Sequence, residues 1–366
     1  MNKFYSAIAK PALFSLDAER AHAVSIRGLQ LGLHPRFDAD LDPRLQVDLA
    51  GLKFANPLGM AAGYDKNADV PFALLKMGFG HTETGTVTPL PQSGNPKPRI
   101  FRLQADQGVI NRLGFNSSGH DNVKRNLSGV QRLPDKTGVI GINIGANKSS
   151  EDFAADYVKG VHALAHLADY VTVNISSPNT PGLRALQGID PLTDLLQRVE
   201  DARDTQTEKM GRRVPLFLKV APDLDDSELD DIATSLSNSD FDALIVSNTT
   251  LDRRGLKSAE RDEAGGLSGK PLFERSTIIL ARLRLRLQRN FPLIGVGGIT
   301  DGGSAISKME AGADLVQLYS GMIYKGPGLP GEILLAMQAH CQSKNLSHIG
   351  EIVATKTEEW AHKPLN

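Results

Sequence analysis

The sequence predicts an α/β protein, a (β/α)8 TIM barrel with an N-terminal helical extension, and two patterns carry that prediction. Eight short apolar runs alternate with longer helical ones, and each run ends in Gly or a small polar residue. The 366 residues suit a single barrel enlarged by loop insertions. Strands are expected at Pro57 to Ala61, Gly80 to Gly85, Val139 to Ile144, Tyr170 to Ile175, Leu216 to Val220, Ala243 to Ser247, Leu293 to Val296 and Leu315 to Tyr319. Helical patterns lie between them at Asp152 to Leu167, Pro191 to Thr207, Ser227 to Leu236, Phe273 to Gln288, Gly302 to Ala311 and Gly331 to His340. Near-continuous apolar strands alternating with helices mean a parallel sheet covered by helices. Eight such units favour closure over an open doubly wound sheet. No internal repeat or low-complexity segment interrupts the pattern.

The chain divides into residues 1–38, a helical segment, residues 39–342, the barrel, and residues 343–366, a tail without an interpretable motif. In the first segment two helical patterns, Lys3 to Lys10 and Ala18 to Leu33, are separated by Pro11 and Asp17, the latter a natural N-cap. Ala21, Val24, Gly28 and Leu31 fall on one face of the second, and Lys3, Lys10, Arg20, Arg27 and Arg36 outnumber Asp17 and Glu19. A basic amphipathic pair suits an anionic membrane surface. A helical cap packed on the main domain is the alternative.

A formal net charge of -1 supplies no field for nucleic acid, so nucleic-acid binding is not expected. The single cysteine, Cys341, excludes an intramolecular disulfide and a Cys-rich metal site, in keeping with an intracellular protein. No stretch approaches the ~20 apolar residues needed to cross a bilayer. Lys10 and Pro11 break the early apolar residues before a signal-peptide core could form.

Active sites of barrels form beyond the strand C-termini, and there this sequence places Ala62, Gly63, Lys66, Thr86, Asn143, Asn174, Lys219, Ser247, Asn248, Gly297, Gly298, Tyr319 and Ser320. Three connections, Thr86 to Phe115, Ser176 to Ile189 and Asn248 to Pro271, exceed ordinary βα loops, as functional loops do. Gly297-Gly298 before one helix and Ser320-Gly321 after the last strand suit a phosphate group held by backbone N–H donors; a tight turn without a ligand is the alternative. Asn111, Asn174, Asn179 and Asn248 could together read the alternating C=O and N–H groups of a planar cyclic imide, although each alone is equally an ordinary turn or cap residue. Lys219 ends an apolar strand, so its ammonium either meets an anionic ligand or reaches solvent past the rim.

The motifs Ala61-Ala62-Gly63-Tyr64-Asp65-Lys66, Thr84-Gly85-Thr86-Val87-Thr88, Asn111-Arg112-Leu113-Gly114-Phe115-Asn116, the Asn174 to Arg184 loop and Gly265 to Gly269 resemble those of class 2, quinone-dependent dihydroorotate dehydrogenases, from the N-terminal helices to the last barrel helix. The resemblance implies FMN contacts at Ala62, Gly63, Lys66, Thr86, Asn143, Asn174, Lys219, Ser247, Gly269, Gly298, Tyr319 and Ser320. It implies substrate contacts at Lys66, Asn111, Arg112, Leu113, Gly114, Phe115, Asn174, Asn179, Asn248 and Thr249. Ser177 becomes the general base, where class 1 relatives carry a cysteine. The N-terminal helices become a membrane-facing quinone tunnel lined by His22 and Arg102, on a cytoplasmic protein peripheral to the inner face of the cell membrane. No metal is implied. Tyr64 and Ser247 depart from the family's usual Leu or Phe and Thr.

On this reading dihydroorotate loses a C5 proton to Ser177, relayed through Thr180 and a water, and a C6 hydride to the flavin, giving orotate. The Ser176 to Arg184 loop closes over the ring, and separate entrances for substrate and quinone imply ping-pong kinetics. Two rivals remain at this stage. An α-hydroxy acid oxidase would need a His base after a strand, which this sequence lacks; a non-catalytic barrel would bind a phosphorylated ligand without flavin.

Overall fold

In the computed structural model, which describes residues 5–37, 42–131, 138–287 and 290–365, the strands are, in chain order, β1 (Val47–Leu49), β2 (Leu52–Phe54), β3 (Leu58–Met60), β4 (His81–Val87), β5 (Ile100–Leu103), β6 (Gly108–Asn111), β7 (Val139–Ile144), β8 (Tyr170–Asn174), β9 (Leu216–Val220), β10 (Ala243–Val246), β11 (Gly266–Gly269), β12 (Leu293–Val296) and β13 (Leu315–Leu318). Eight of them close into a parallel barrel in the order β3-β4-β7-β8-β9-β10-β12-β13. These are the eight expected strands, within one or two residues at each end, because an apolar run buried on both faces is the strongest strand signal a sequence offers. Side-chain caps explain some of the helix starts. Asp152 accepts from the Ala155 N–H (3.0 Å), and Asp225 and Asp301 form capping boxes with Glu228 and Ser304. Helices Pro71–Lys76 and His120–Gln131 complete the two units after β3 and β4; the expected end of the Phe273 helix, Gln288, lies outside the described residues.

Two of the three long connections carry strands: Thr86 to Phe115 holds β5 and β6 and Asn248 to Pro271 holds β11, and these form an antiparallel sheet in the order β11-β6-β5. Its small core is Leu103, Ile110 and Leu267. Four-residue strands paired across about 150 residues leave no local signature, so sequence periodicity could not find them. Tyr324 donates to the carbonyls of Gly108 (2.6 Å) and Leu103 (3.2 Å), and Ser268 bonds Ser320 (2.8 Å), which fixes this sheet above the strand C-termini. At the opposite end the β1-β2 hairpin sets Phe54 edge-on against His81 at the start of β4, with ring centroids 5.3 Å apart.

The N-terminal extension is a π-helical turn Tyr5–Ala9 running into α1 (Lys10–Phe14), then α2 (Ala18–Gln30) capped by Asp17. Pro11 does not separate two helices as expected: it sits in the first turn of α1, where a missing N–H is harmless. Lys3 and Phe4, and the expected boundary at Asp38, lie outside the described residues. Arg102 of β5 donates to the carbonyls of Leu13 (3.0 Å), Phe14 (3.2 Å) and Leu16 (2.5 Å) at the end of α1. Arg99 grips Glu19 of α2 through Nε (3.1 Å) and Nη2 (2.7 Å). Residues beyond Ser343 pack back on the barrel, with Trp360 edge-on to Phe273 (5.9 Å) and Arg282 bonded to the Ala361 carbonyl (3.1 Å); Asn366 is outside the described residues.

The Arg99 hydrogen bonds hold the Glu19 carboxyl below the usual glutamate range. A depressed carboxylate contributes stability that is complete above the unfolded pKa of about 4.3 and is lost as pH falls through the lower folded value. Glu19→Gln is therefore expected to speed hydrogen exchange and proteolysis across residues 5–31 at pH 7 while the barrel core stays protected. Wild-type protein should show the same selective loosening below about pH 4. Uniform loosening of barrel and extension together would contradict this attachment.

Candidate active site

The strand C-termini, the three-stranded sheet and the N-terminal helices enclose one continuous cavity of about 580 Å³, in the size range of cofactor and substrate sites. Its floor comes from the barrel: Ala62, Gly63 and Lys66 after β3, Thr86 in β4, Asn174 at the end of β8, Lys219 in β9, Ser247 and Asn248 after β10, Gly297 and Gly298 after β12, and Tyr319 and Ser320 after β13. Its roof comes from the loops: Asn111, Leu113, Gly114, Phe115, Ser177, Asn179, Thr249 and Gly269. His22 and Arg102 line its far end with Ala12, Leu13, Ala21 and Val24.

Two expected contacts are not on the cavity wall. Asn143 is fully buried one layer below, where its Oδ1 accepts from Thr86 Oγ1 (2.6 Å) and Asn174 Nδ2 (3.2 Å). It supports two wall residues, Thr86 and Asn174. The Arg112 side chain turns away, pairing with Glu263 (2.6 Å) and stacking over Phe101 (4.5 Å), so it fastens the upper sheet and leaves only its neighbours to face the cavity. Asn116, unassigned from sequence, accepts from the Lys66 ammonium (2.8 Å); its place in the Asn111 to Asn116 motif was the available signal.

Burial gives the floor its electrostatic character. Lys219 is buried, and its ammonium makes no hydrogen bond to the described residues. Burial lowers its pKa, opposed by the charge of Glu83. Lys66 is pushed down to about 8, by burial first and Arg99 second, with Glu19 opposing. An anionic occupant of the cavity would oppose both shifts and favour the charged lysines.

The amides form a directed chain. Asn174 Nδ2 donates to Thr86 Oγ1 (2.9 Å), Asn174 Oδ1 accepts from Ser176 Oγ (2.7 Å), and Ser176 Oγ accepts from Asn248 Nδ2 (2.9 Å). Ser177, one residue further on, is buried with its Oγ accepting from the Asn179 N–H (3.2 Å). Thr180 is also buried but does not line the cavity, and it makes no hydrogen bond to Ser177 among the described residues. Arg184 holds the loop down through the Ser176 carbonyl (3.1 Å), the Thr249 carbonyl (3.2 Å) and Asp223 (3.1 Å).

The glycines at the expected phosphate site are packed too closely to carry side chains. Gly297 and Gly298 have φ of +110° and +75°, and a Cβ on Gly298 would lie 2.3 Å from Phe273 Cα, so only glycine fits. The bare Cα of Gly321 lets the start of the Ser320–Lys325 helix approach the Ile299 carbonyl, which a Cβ would meet at 2.4 Å. The partnerless Lys219, the amides above it and this cradle fit an anionic flavin nucleotide.

At the far end an aromatic cluster joins α2 to the floor. His22 meets Tyr64 edge-on (5.3 Å), Tyr64 meets Tyr319 (5.5 Å), and Tyr64 OH donates to Ser25 Oγ (3.1 Å). Burial takes His22 down to about 4, with Lys66 acting in the same direction, so it is neutral at pH 7. The tyrosine that departs from the family's usual Leu or Phe thus ties the extension to the cavity.

The family model of dihydroorotate dehydrogenase matches residues 44–340. A protein of Brucella anthropi named dihydroorotate dehydrogenase (quinone) is 55% identical over 367 residues, covering 100% of both chains. One of Brucella melitensis with the same name is 56% identical over 366 residues, again covering 100% of each. Among solved structures, the dihydroorotate dehydrogenase of Eimeria tenella in complex with ferulenol superposes with a TM-score of 0.89 at 37% identity, covering 94% of this chain and 96% of that one. The ligand-free form gives 0.88 at 38% identity, covering 95% and 100%. By full-length similarity and by fold, this chain belongs to the dihydroorotate dehydrogenase family, in its quinone-dependent class 2.

Proposed function

We propose that the chain oxidises (S)-dihydroorotate to orotate for pyrimidine synthesis with FMN as its flavin, and that it passes the electrons to a membrane quinone. The observation that carries this reading is the single cavity running from Ser177 and Lys219 to the N-terminal helices. FMN, when bound, supplies a two-electron acceptor that a quinone can regenerate.

The chain's own residues do the rest. Lys66 and the amides of Asn111, Asn174, Asn179 and Asn248 line one region of the cavity. There they orient a planar imide ring and its carboxylate, which is positioning more than acid–base work. Ser177 takes the C5 proton. A serine hydroxyl is a feeble base in water, so Ser177 passes its own hydroxyl proton on to a water as it takes the substrate proton, and no net charge builds on Oγ, whose position the Asn179 N–H fixes. Thr180 makes no direct hydrogen bond to Ser177 among the described residues, so a water carries the proton onward. Lys219 balances the negative charge that the reduced flavin carries. The cradle of Gly297, Gly298 and Ser320 holds the phosphate.

Quinone would enter between α1 and α2, past His22 and Arg102. Ile8, Val24, Leu31 and Leu33 are exposed on this extension, Leu33 by 75%. Arg20 and Arg27 are exposed on the same extension. Apolar side chains flanked by cations suit the inner, anionic face of the cell membrane, so the protein is placed there as a peripheral enzyme. No helix among the described residues is long and apolar enough to cross a membrane.

Purified protein should be yellow, and anaerobic dihydroorotate should bleach it; a colourless protein, or a flavin that dihydroorotate leaves oxidised, would contradict the reading. Ser177→Ala should keep its FMN yet be reduced at least ~100-fold more slowly. A chain without residues 1–37 is expected to retain flavin reduction by dihydroorotate and lose turnover with quinone. Survival of both half-reactions would make the extension a mere cap.

A further inference from the structure

Below the cavity floor the barrel interior is unusually polar. TIM barrels normally fill this space with branched apolar side chains, yet here β4 sends His81 and Glu83 inward, facing Tyr170 of β8, Gln317 of β13 and Asn143 of β7. Glu83 has no solvent exposure. It accepts from Asn143 Nδ2 (2.8 Å), Tyr170 OH (3.1 Å) and Gln317 Nε2 (3.1 Å), and no cation lies within ion-pair distance among the described residues. The bare Cα of Gly141 gives Tyr170 the space to reach it, since a Cβ there would sit 2.1 Å from the phenol ring. A carboxylate held only by neutral donors in a dry core is expensive, and stability alone does not account for it.

Its geometry supplies another reason. An ionised carboxylate can only accept hydrogen bonds, whereas an amide can donate or accept and can be turned end for end. With Nδ2 committed to Glu83, Asn143 must present Oδ1 upward, where Thr86 Oγ1 (2.6 Å) and Asn174 Nδ2 (3.2 Å) both donate to it. Asn174 must then present its own Oδ1 to Ser176, and Ser176 Oγ is left to accept from Asn248 Nδ2. The donor sense of every wall amide on this side follows from one buried anion.

We infer that Glu83 is a positioning residue for the reaction. Its carboxylate fixes which atoms of Thr86, Asn174 and Asn248 face the flavin and substrate, and it shares the barrel interior with the Lys219 ammonium as that cation's nearest opposite charge. The inference rests on the flavin and dihydroorotate reading above and names a residue that touches neither. In Glu83→Gln the new amide can donate to Asn143 as well as accept from it, so the chain loses its single direction while side-chain volume and fold are kept.

The test uses full-length holoprotein and two readouts that are independent of turnover: the orotate-induced change in the flavin visible spectrum and the dissociation constant for FMN. Wild-type protein first has to show flavin absorption and an orotate response; without these the functional reading fails, whatever Glu83 does. Given them, Glu83→Gln is expected to fold and bind FMN, to weaken orotate by at least ~10-fold and to slow flavin reduction by a similar factor, as for loss of a charged hydrogen bond. Tyr170→Phe removes one donor from the same carboxylate but leaves the Asn143 link. It should lower the melting temperature and leave orotate binding within about twofold. A lower melting temperature for Glu83→Gln with wild-type orotate binding would overturn the inference, as would equal orotate losses in both variants. If Glu83→Gln yields no folded holoprotein, Glu83→Asp replaces it, with the acceptor drawn one methylene away from Asn143. Weakened orotate binding at an unchanged melting temperature supports the role, and wild-type binding overturns it.

Discussion

A lysine ammonium held inside a barrel without a hydrogen-bond partner among the described residues is the constraint around which this molecule is arranged. Lys219 is buried in the cavity floor with only the Glu83 charge to favour its protonated state. Burial disfavours that state, and an anion bound beside it would favour it. The cradle of bare glycines, the amide wall and the second buried cation, Lys66, surround the space in which that anion belongs.

The other elements enclose this space. The β5-β6-β11 sheet and the Asn174 to Arg184 loop roof one side, the loop pinned by Arg184 to Ser176, Thr249 and Asp223. The N-terminal helices wall the other, pinned by the Glu19–Arg99 pair and by the contacts of His22 and Ser25 with Tyr64.

Much of this was legible in the sequence, and for definite reasons. Barrel strands buried on both faces read as apolar runs, and their ends set out Lys219, Asn174 and Gly298 in order, so the floor of the site followed from the fold. The upper sheet was not legible, because its strands are four residues each and β6 pairs with β11, far away in sequence. Pro11 misled because local sequence does not distinguish a helix break from a first turn. Arg112 belongs to a motif and Asn143 to a strand end whose neighbours suggested a cavity position, and only tertiary contacts show one turned outward to Glu263 and the other buried a layer below. Glu83 gave no signal at all, since a lone acidic residue in a strand looks like a solvent-facing position.

The most direct test of the account is the two-electron potential of the bound flavin in wild-type protein and in Lys219→Met, which keeps the length of the side chain and removes its charge. If the ammonium is the counter-charge for the reduced cofactor, the variant binds flavin at a lower potential, with the reduced form destabilised relative to the oxidised one. An unchanged potential in a folded, flavin-loaded Lys219→Met protein would show that the cation does not face the flavin and would contradict the account.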